Sequence, residues 1–289
     1  MSRLTKIPFG QRVGSDILVA VDNVPNGKNC DCVCPSCQSA LIARHGHKNI
    51  HHFSHVKSNV VKYCTYNLLF SIRMMYLQLL PCHPSLNFNT PSSLITVAGY
   101  LNNNTPLSFQ QLVTPEKEIV LTNIKTNHKI GDQIFDCVAD VKGVQIAIQL
   151  TYKSKSTAFI DNDKTHSIAI LEIDLTPLNE LIWKKEHSQT YRDLLIDYFC
   201  SASAIKRWVY HPRRQKALLH AEKSLQKKIN DENHILTKQN ATNGFYDEQN
   251  FRIYSPKTRL SDYECHYCHK RWPRKYGYIC PQCYARCYN

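Results

Sequence analysis

A chain of 289 residues with 43% apolar and 10% aromatic content can bury a full core and carry two or three units, which excludes global disorder. Lysine and arginine outnumber aspartate and glutamate by 36 to 23, and the formal charge of +13 points to a polyanion partner, nucleic acid first. A basic surface that serves only solubility is the alternative. No apolar run approaches the ~20 residues of a membrane span. The opening, interrupted by Pro8 and Gly10, lacks a charged-then-apolar signal pattern, so a cytoplasmic protein is expected.

Residues 17–21 read as a strand, and the turn-rich 22–27 leads into Cys30-Asp-Cys32-Val-Cys34-Pro-Ser-Cys37. Beyond it stand His51-His52-Phe-Ser-His55 and Cys64, with a polar loop at 43–49 expected to fold the second group back onto the first as a hairpin. Zinc takes four sulfur and imidazole donors in a tetrahedron, and one CxxC turn supplies two of them. The expected ligands are Cys34, Cys37, His52 and His55, with Cys64 competing for one histidine's place. The competing reading is buried free thiols and surface histidines. Most of the 13 cysteines cluster towards the two ends, which favours zinc in a reducing compartment over a secreted disulfide scaffold.

Residues 66–80 carry Leu68, Leu69, Ile72, Met75, Tyr76 and Leu79 at helical spacing, with Pro81 and a loop to Pro91 ending the helix. After a polar stretch at 100–106, a strand is expected at 118–124. Strands at 134–141 and 144–151 flank Lys142-Gly143, a two-residue hairpin link with positive φ at Gly143. Counting outward from that turn, Asp136 faces Gln149. One face of the hairpin is apolar throughout, and the other gathers Asp136, Asp140, Gln149 and Thr151 into a small polar cluster. A connection at 153–164 precedes a buried strand at 167–175. Thr176-Pro177 then cap and start a helix over 178–186, and a further helix spans 191–199, making this part α/β.

From Lys206 the chain turns aromatic and basic, then runs into a charged helix at 215–230 and a polar linker at 233–250. It closes with Cys265-His-Tyr-Cys268 and Cys280-Pro-Gln-Cys283, two knuckles at the separation of a four-cysteine zinc ribbon, with His266, His269 and Cys287 as spare donors. The organisation expected is a zinc-binding module at 1–64, an α/β core at 65–205, a basic helix and linker at 206–260, and a ribbon at 261–289.

The opening Cys30-Asp-Cys32-Val-Cys34-Pro-Ser-Cys37, then Leu41-Ile-Ala-Arg44-His-Gly46, then His51-His-Phe-Ser-His55 resembles the competence protein CoiA-like family. That resemblance implies a restriction-endonuclease-like mixed sheet with flanking helices after the zinc module. Asp136, Gly143, Ala147-Ile148-Gln149 and Leu171-Glu-Ile-Asp-Leu175 are similar to the family's core. On the helix, the positions of the family's Glu, His and Lys fall near Asn67, Ser71 and Met75. On the second strand, Gln149 and Thr151 replace the usual Glu and its Lys or Gln partner, so only Asp136 persists of the implied catalytic set. Phosphodiester hydrolysis needs carboxylates around Mg²⁺, and Gln brings no charge while Thr brings no cation. A rescue would draw on Asp140, Lys153 or Glu172. Without one, Asp136, Gln149 and Thr151 are remnants.

Three functions compete. The first is a DNA-binding protein with a degenerate nuclease centre, acting in a DNA-uptake or genome-defence complex. Its phosphate contacts would come from Arg207, Arg213, Arg214, Lys216, Lys270, Arg271 and Arg274, with Trp208 and Tyr210 able to stack on bases. The second is an active Mg²⁺-dependent DNA nuclease with an altered residue set, and the third a zinc-ribbon adaptor for protein partners. Two structural zinc sites are expected, with Mg²⁺ only if the centre is active.

Overall fold

The computed structural model describes residues 7–46, 50–56, 64, 67–152, 168–185, 189–242, 263–264 and 271–272. They fall into two units, one drawn from residues up to 91 and from 116–212, the other from 92–115 and from 213 onward.

The first unit opens with β1 (Phe9–Arg12), β2 (Leu18–Ala20) and β3 (Cys32–Val33) in an antiparallel sheet of order β2-β1-β3. Next, β4 (Leu41–Arg44) and β5 (His52–His55) pair antiparallel with Leu41 opposite His55, the hairpin expected around the polar loop. The predicted helix is α1 (Leu68–Leu79), and the Asn67 side chain caps it by accepting the Phe70 N–H at 3.0 Å. Its apolar face buries Leu68, Ile72, Met75 and Tyr76. Where a loop to Pro91 was expected, β6 (Ser85–Thr90) forms, because Leu86, Phe88 and Thr90 alternate inward and give it a buried face.

Two strands with no predicted counterpart, β7 (Ser93–Tyr100) and β8 (Pro106–Thr114), make a hairpin of the second unit. β9 (Lys117–Ile130) starts one residue before the predicted strand and runs six residues past its end. It leads into β10 (Gln133–Val141) and β11 (Val144–Thr151). Lys142 and Gly143 take φ of 50° and 83°, so the turn twists with the strands and sets Val141 opposite Val144. β12 (Ala169–Asp174), α2 (Leu178–Trp183), α3 (Tyr191–Ser201) and β13 (Lys206–Tyr210) complete the unit. The six-stranded sheet runs β13-β12-β11-β10-β9-β6, antiparallel except for the parallel β11–β12 pair.

Both faces of this sheet carry buried apolar residues. Cys137, Ala139, Ile146, Ile148 and Leu150 join the main core with α1 and α3 residues, as the apolar face predicts. The face expected to be polar also closes: Val138 and Ala147 are buried against Ile170 of β12. β12 contributes to this by lying beside β11 with Ile170 next to Ala147, so the two join Phe135 and Val138 in one small apolar cluster. Thr176 does not cap α2 with its side chain; the cap position is Pro177, and Asp174 Oδ1 accepts the Thr176 N–H at 2.8 Å.

In the second unit, α4 (Arg214–Thr242) is longer than expected and covers part of the predicted linker. It packs on the β7–β8 hairpin through Ala221 and Leu225, both buried. A Cβ at Gly99 would meet the Ile229 Cδ1 at 2.8 Å, so glycine permits the close approach of strand and helix. The short pair β14 (Tyr263–Glu264) and β15 (Arg271–Trp272) flanks the first knuckle of the predicted ribbon. Cys265, Cys268, Cys280 and Cys283 lie outside the described residues, as do Lys270 and Arg274. Among the described residues no helix is long and apolar enough to cross a membrane.

Candidate metal centre and the middle of the sheet

The knuckle is built by a tight reversal. The Cys34 N–H donates to Ser39 O at 2.9 Å, the Gln38 N–H donates to Cys34 O at 2.8 Å, and Gln38 takes a φ of 56°. This turn aims Cys34 and Cys37 to one side, where β5 delivers His55. Cys64 completes the group, and one ligand atom from each of the four lies within 4.8 Å of all the others. The Cys34–Cys64 sulfur separation is 3.5 Å, and His55 Nε2 stands 3.4 Å from Cys37 Sγ and 3.6 Å from Cys64 Sγ. A tetrahedral zinc with bonds of about 2.3 Å to sulfur requires edges of about 3.8 Å, so three sulfurs and one imidazole at these separations fit it.

Of the four ligands expected, the structure brings together Cys34, Cys37 and His55, and Cys64 takes the remaining corner instead of His52. The strand explains this. Side chains alternate along β5, so His52 and His55, three residues apart, leave opposite faces. His52 Nδ1 instead donates to Ile50 O at 3.0 Å. Cys30 and Cys32 stay out of the group as buried core thiols. Cys30 donates to Leu41 O, Cys32 donates to Cys30 O, and burial pushes the Cys32 thiol up to about 12.

Burial likewise pushes the Cys34 thiol up to about 12. Burial acts to raise Cys37 as well, but hydrogen bonding from the Ser39 side chain and backbone, joined by Cys64 and Cys34, holds it below its ordinary value. Burial lowers His55, which keeps the imidazole neutral and available as a ligand. A zinc ion here would be held by Cys34, Cys37, His55 and Cys64, with all four positions filled by protein. Such closure marks a structural site rather than a catalytic one.

At the middle of the large sheet, Asp136 is only 2% exposed. Its Oδ1 accepts from Arg73 through Nε at 2.8 Å and also through Nη2, and its Oδ2 accepts the Leu150 N–H at 2.8 Å. The β10–β11 ladder runs from the turn to Cys137 opposite Ile148, and beyond it the Asp136 carboxylate accepts the Leu150 N–H on β11. Gln149 donates to Ile134 O at 3.0 Å, and Thr151 donates across to Ile173 O at 3.2 Å. The three predicted remnants are therefore neighbours on adjacent strands, each engaged with the protein's own groups.

The other acids proposed as rescuers are engaged elsewhere. Asp140 Oδ2 accepts from Asn123 at 2.8 Å, and Glu172 pairs with Arg207 at 2.8 Å. Lys153 lies outside the described residues. On α1, Asn67 is the cap, Ser71 donates to Leu68 O, and Met75 is buried. Arg73 was missed, although the sequence held a signal for it as the single charged residue of a largely apolar helix.

Of the basic residues, Arg207 is 65% exposed and paired with Glu172, while Arg213, Arg214 and Lys216 are exposed at the start of α4. Arg271 lies on β15 opposite Glu264. Trp208 is half-buried against the core and donates its indole N–H to Pro91 O at 2.8 Å, and Tyr210 packs on the smaller cluster with Ile170. Neither ring stands out as a stacking platform.

The first unit is thus a mixed α/β assembly carrying a closed Cys₃His group beside its amino-terminal strands. Residues 22–65 match the family described as competence protein CoiA, N-terminal domain. Comparison with curated proteins and with solved structures returns no match.

Proposed function

We propose that this is a DNA-binding protein of a DNA-uptake or genome-defence complex, built on a restriction-endonuclease-like sheet whose nuclease centre has lost its chemistry. The observation that carries the reading is the Arg73–Asp136 pair. Two-metal or one-metal phosphodiester hydrolysis needs carboxylate oxygens turned toward a divalent cation. Here the one retained acid gives one oxygen to a guanidinium and the other to a backbone N–H. The fixed positive charge of Arg73 does for Asp136 what a metal would do electrostatically, without a water to activate. Gln149 and Thr151 add neither a metal carboxylate nor a transition-state cation. Losing even one preorganised group of this kind costs about 3–4 kcal/mol of barrier.

The grip on DNA is supported by the charge balance and by Arg213, Arg214 and Lys216 gathered at the amino end of α4. Cations are opposed there by the helix dipole, so their clustering is explained better by an anionic partner than by helix stability. The four-cysteine ribbon, with its Lys270, Arg271 and Arg274, would add a second zinc and a second phosphate contact.

The test is fluorescence anisotropy with a labelled duplex and a labelled single strand over a salt series, run beside a cleavage assay in Mg²⁺ and Mn²⁺. Steep weakening with rising salt and no cleavage are expected. Cleavage that disappears in a folded Asp136→Asn variant overturns the degenerate-centre reading, and absence of DNA affinity even at low salt leaves the protein-adaptor role.

A further inference from the structure

The first unit holds a cavity of about 570 Å³ between the amino-terminal strands, α1 and the start of α3, within the size range of small-molecule sites. It is separate from the Cys₃His group and from Asp136, and no part of the proposed function uses it. One wall is apolar, with Phe9, Leu18, Met75 and Leu79. The other carries a connected polar array. His51 donates from Nδ1 to Asp22 Oδ1 at 2.8 Å, and the His45 ring stacks on His51 at 4.6 Å with 21° between planes. His45 Nε2 donates to Val21 O at 2.7 Å, which fixes that ring.

Lys185 reaches the same array from the α2 side. Its side chain is 7% exposed, its ammonium lies 3.6 Å from Asp22 Oδ2 and donates to Gln189 O at 2.6 Å, and it stands over the Tyr191 ring. Arg192, exposed in the first turn of α3, is a second cation on the lining. Asp22 is the lone carboxylate among the lining residues described, so one negative charge faces a buried ammonium, a guanidinium and two imidazoles. Lys185, which meets Asp22 and a backbone carbonyl, and Arg192 on the rim give the described lining two side-chain cations beside its one carboxylate.

We infer that this cavity binds a nucleoside phosphomonoester, its base against the apolar wall and the paired imidazole rings, and its phosphate at Lys185 and Arg192. A dianionic, fork-accepting group suits guanidinium and ammonium together, and flat stacked rings beside aliphatic side chains suit a nucleobase. The phosphomonoester has two sources, a free nucleotide or the 5′ end of a DNA strand. The inference stands on the cavity alone and does not require the basic start of α4.

The test is isothermal titration calorimetry of the full zinc-loaded chain with 5′-dAMP and with 2′-deoxyadenosine. A second arm compares a short oligonucleotide bearing a 5′-phosphate with the same strand ending in hydroxyl. The phosphate is expected to strengthen nucleoside binding about tenfold or more, and Arg192→Glu to remove that gain while the thermal unfolding midpoint stays unchanged. Competition of the phosphorylated strand with 5′-dAMP assigns the site to strand ends, and its failure to compete assigns the site to the free nucleotide. Failure of both phosphorylated probes to bind at millimolar concentration, equal binding of the unphosphorylated nucleoside, or an Arg192→Glu variant with undiminished affinity overturns the inference. Loss of salt-dependent binding to the hydroxyl-ended strand bears on the DNA-binding reading and not on this one.

Discussion

Replacing Arg73 by methionine keeps much of the side-chain volume and removes the charge that faces Asp136. The carboxylate is 2% exposed and Arg73 17%, so the two partners are not equivalent. Deleting the guanidinium strands a buried anion that cannot reach water, and breaking a buried pair from one side costs about 3–5 kcal/mol. Asp136→Asn is milder. The amide can still accept the Leu150 N–H, and Arg73, nearer the surface, can be hydrated, which places the loss at about 1–3 kcal/mol. The double variant Arg73→Met with Asp136→Leu removes both charges and leaves mainly the Leu150 N–H without an acceptor, so it should be more stable than Arg73→Met alone. Urea unfolding followed by circular dichroism on zinc-loaded protein measures all three. An Arg73→Met variant within about 0.5 kcal/mol of the parent refutes the reasoning, since that range is ordinary for a surface change.

Metal analysis of the purified chain should show that His55→Ala and Cys64→Ser lose the zinc held by the amino-terminal group, whereas His52→Ala retains it; equal loss in His52→Ala contradicts the ligand set. Because burial pushes the Cys34 thiol up to about 12, zinc must displace its proton at neutral pH, so binding releases protons and weakens as pH falls. Calorimetry in two buffers of different ionisation enthalpy should register that release, and identical heats would exclude it. Changing Arg213, Arg214 and Lys216 together to alanine should shallow the salt dependence of DNA binding by up to about 2–3 in the log–log slope, read by anisotropy, and an unchanged slope would remove them from the interface. Gly143→Ala, at a φ of 83°, should cost about 1 kcal/mol in urea unfolding, and a neutral result would mean the turn adopts another form.

Features set by local chemistry were readable from the chain. The Lys142-Gly143 link needs positive φ and dictates its own register, and the CxxC turn of Cys34 and Cys37 carries its ligand geometry within a few residues. The fourth ligand was not readable, because His52 and Cys64 are told apart only once residues 52–55 are known to be a strand with alternating faces. Arg73 escaped for a different reason. Its partner lies 63 residues away, and spacing within α1 does not say which strand its polar side meets. The β7–β8 hairpin was missed because Leu94, Tyr100 and Leu112 are exposed, which blurs the alternation by which strands are recognised. The second apolar face of the large sheet depended on β12, whose parallel pairing with β11 no local pattern announces.

The most direct measurement is Mn²⁺ anomalous scattering from crystals of the protein soaked in that ion. With Arg73 bound to Asp136, no peak is predicted beside the carboxylate. A well-occupied Mn²⁺ coordinated by Asp136, with Arg73 swung aside, would contradict the view that a protein cation has taken the metal's place.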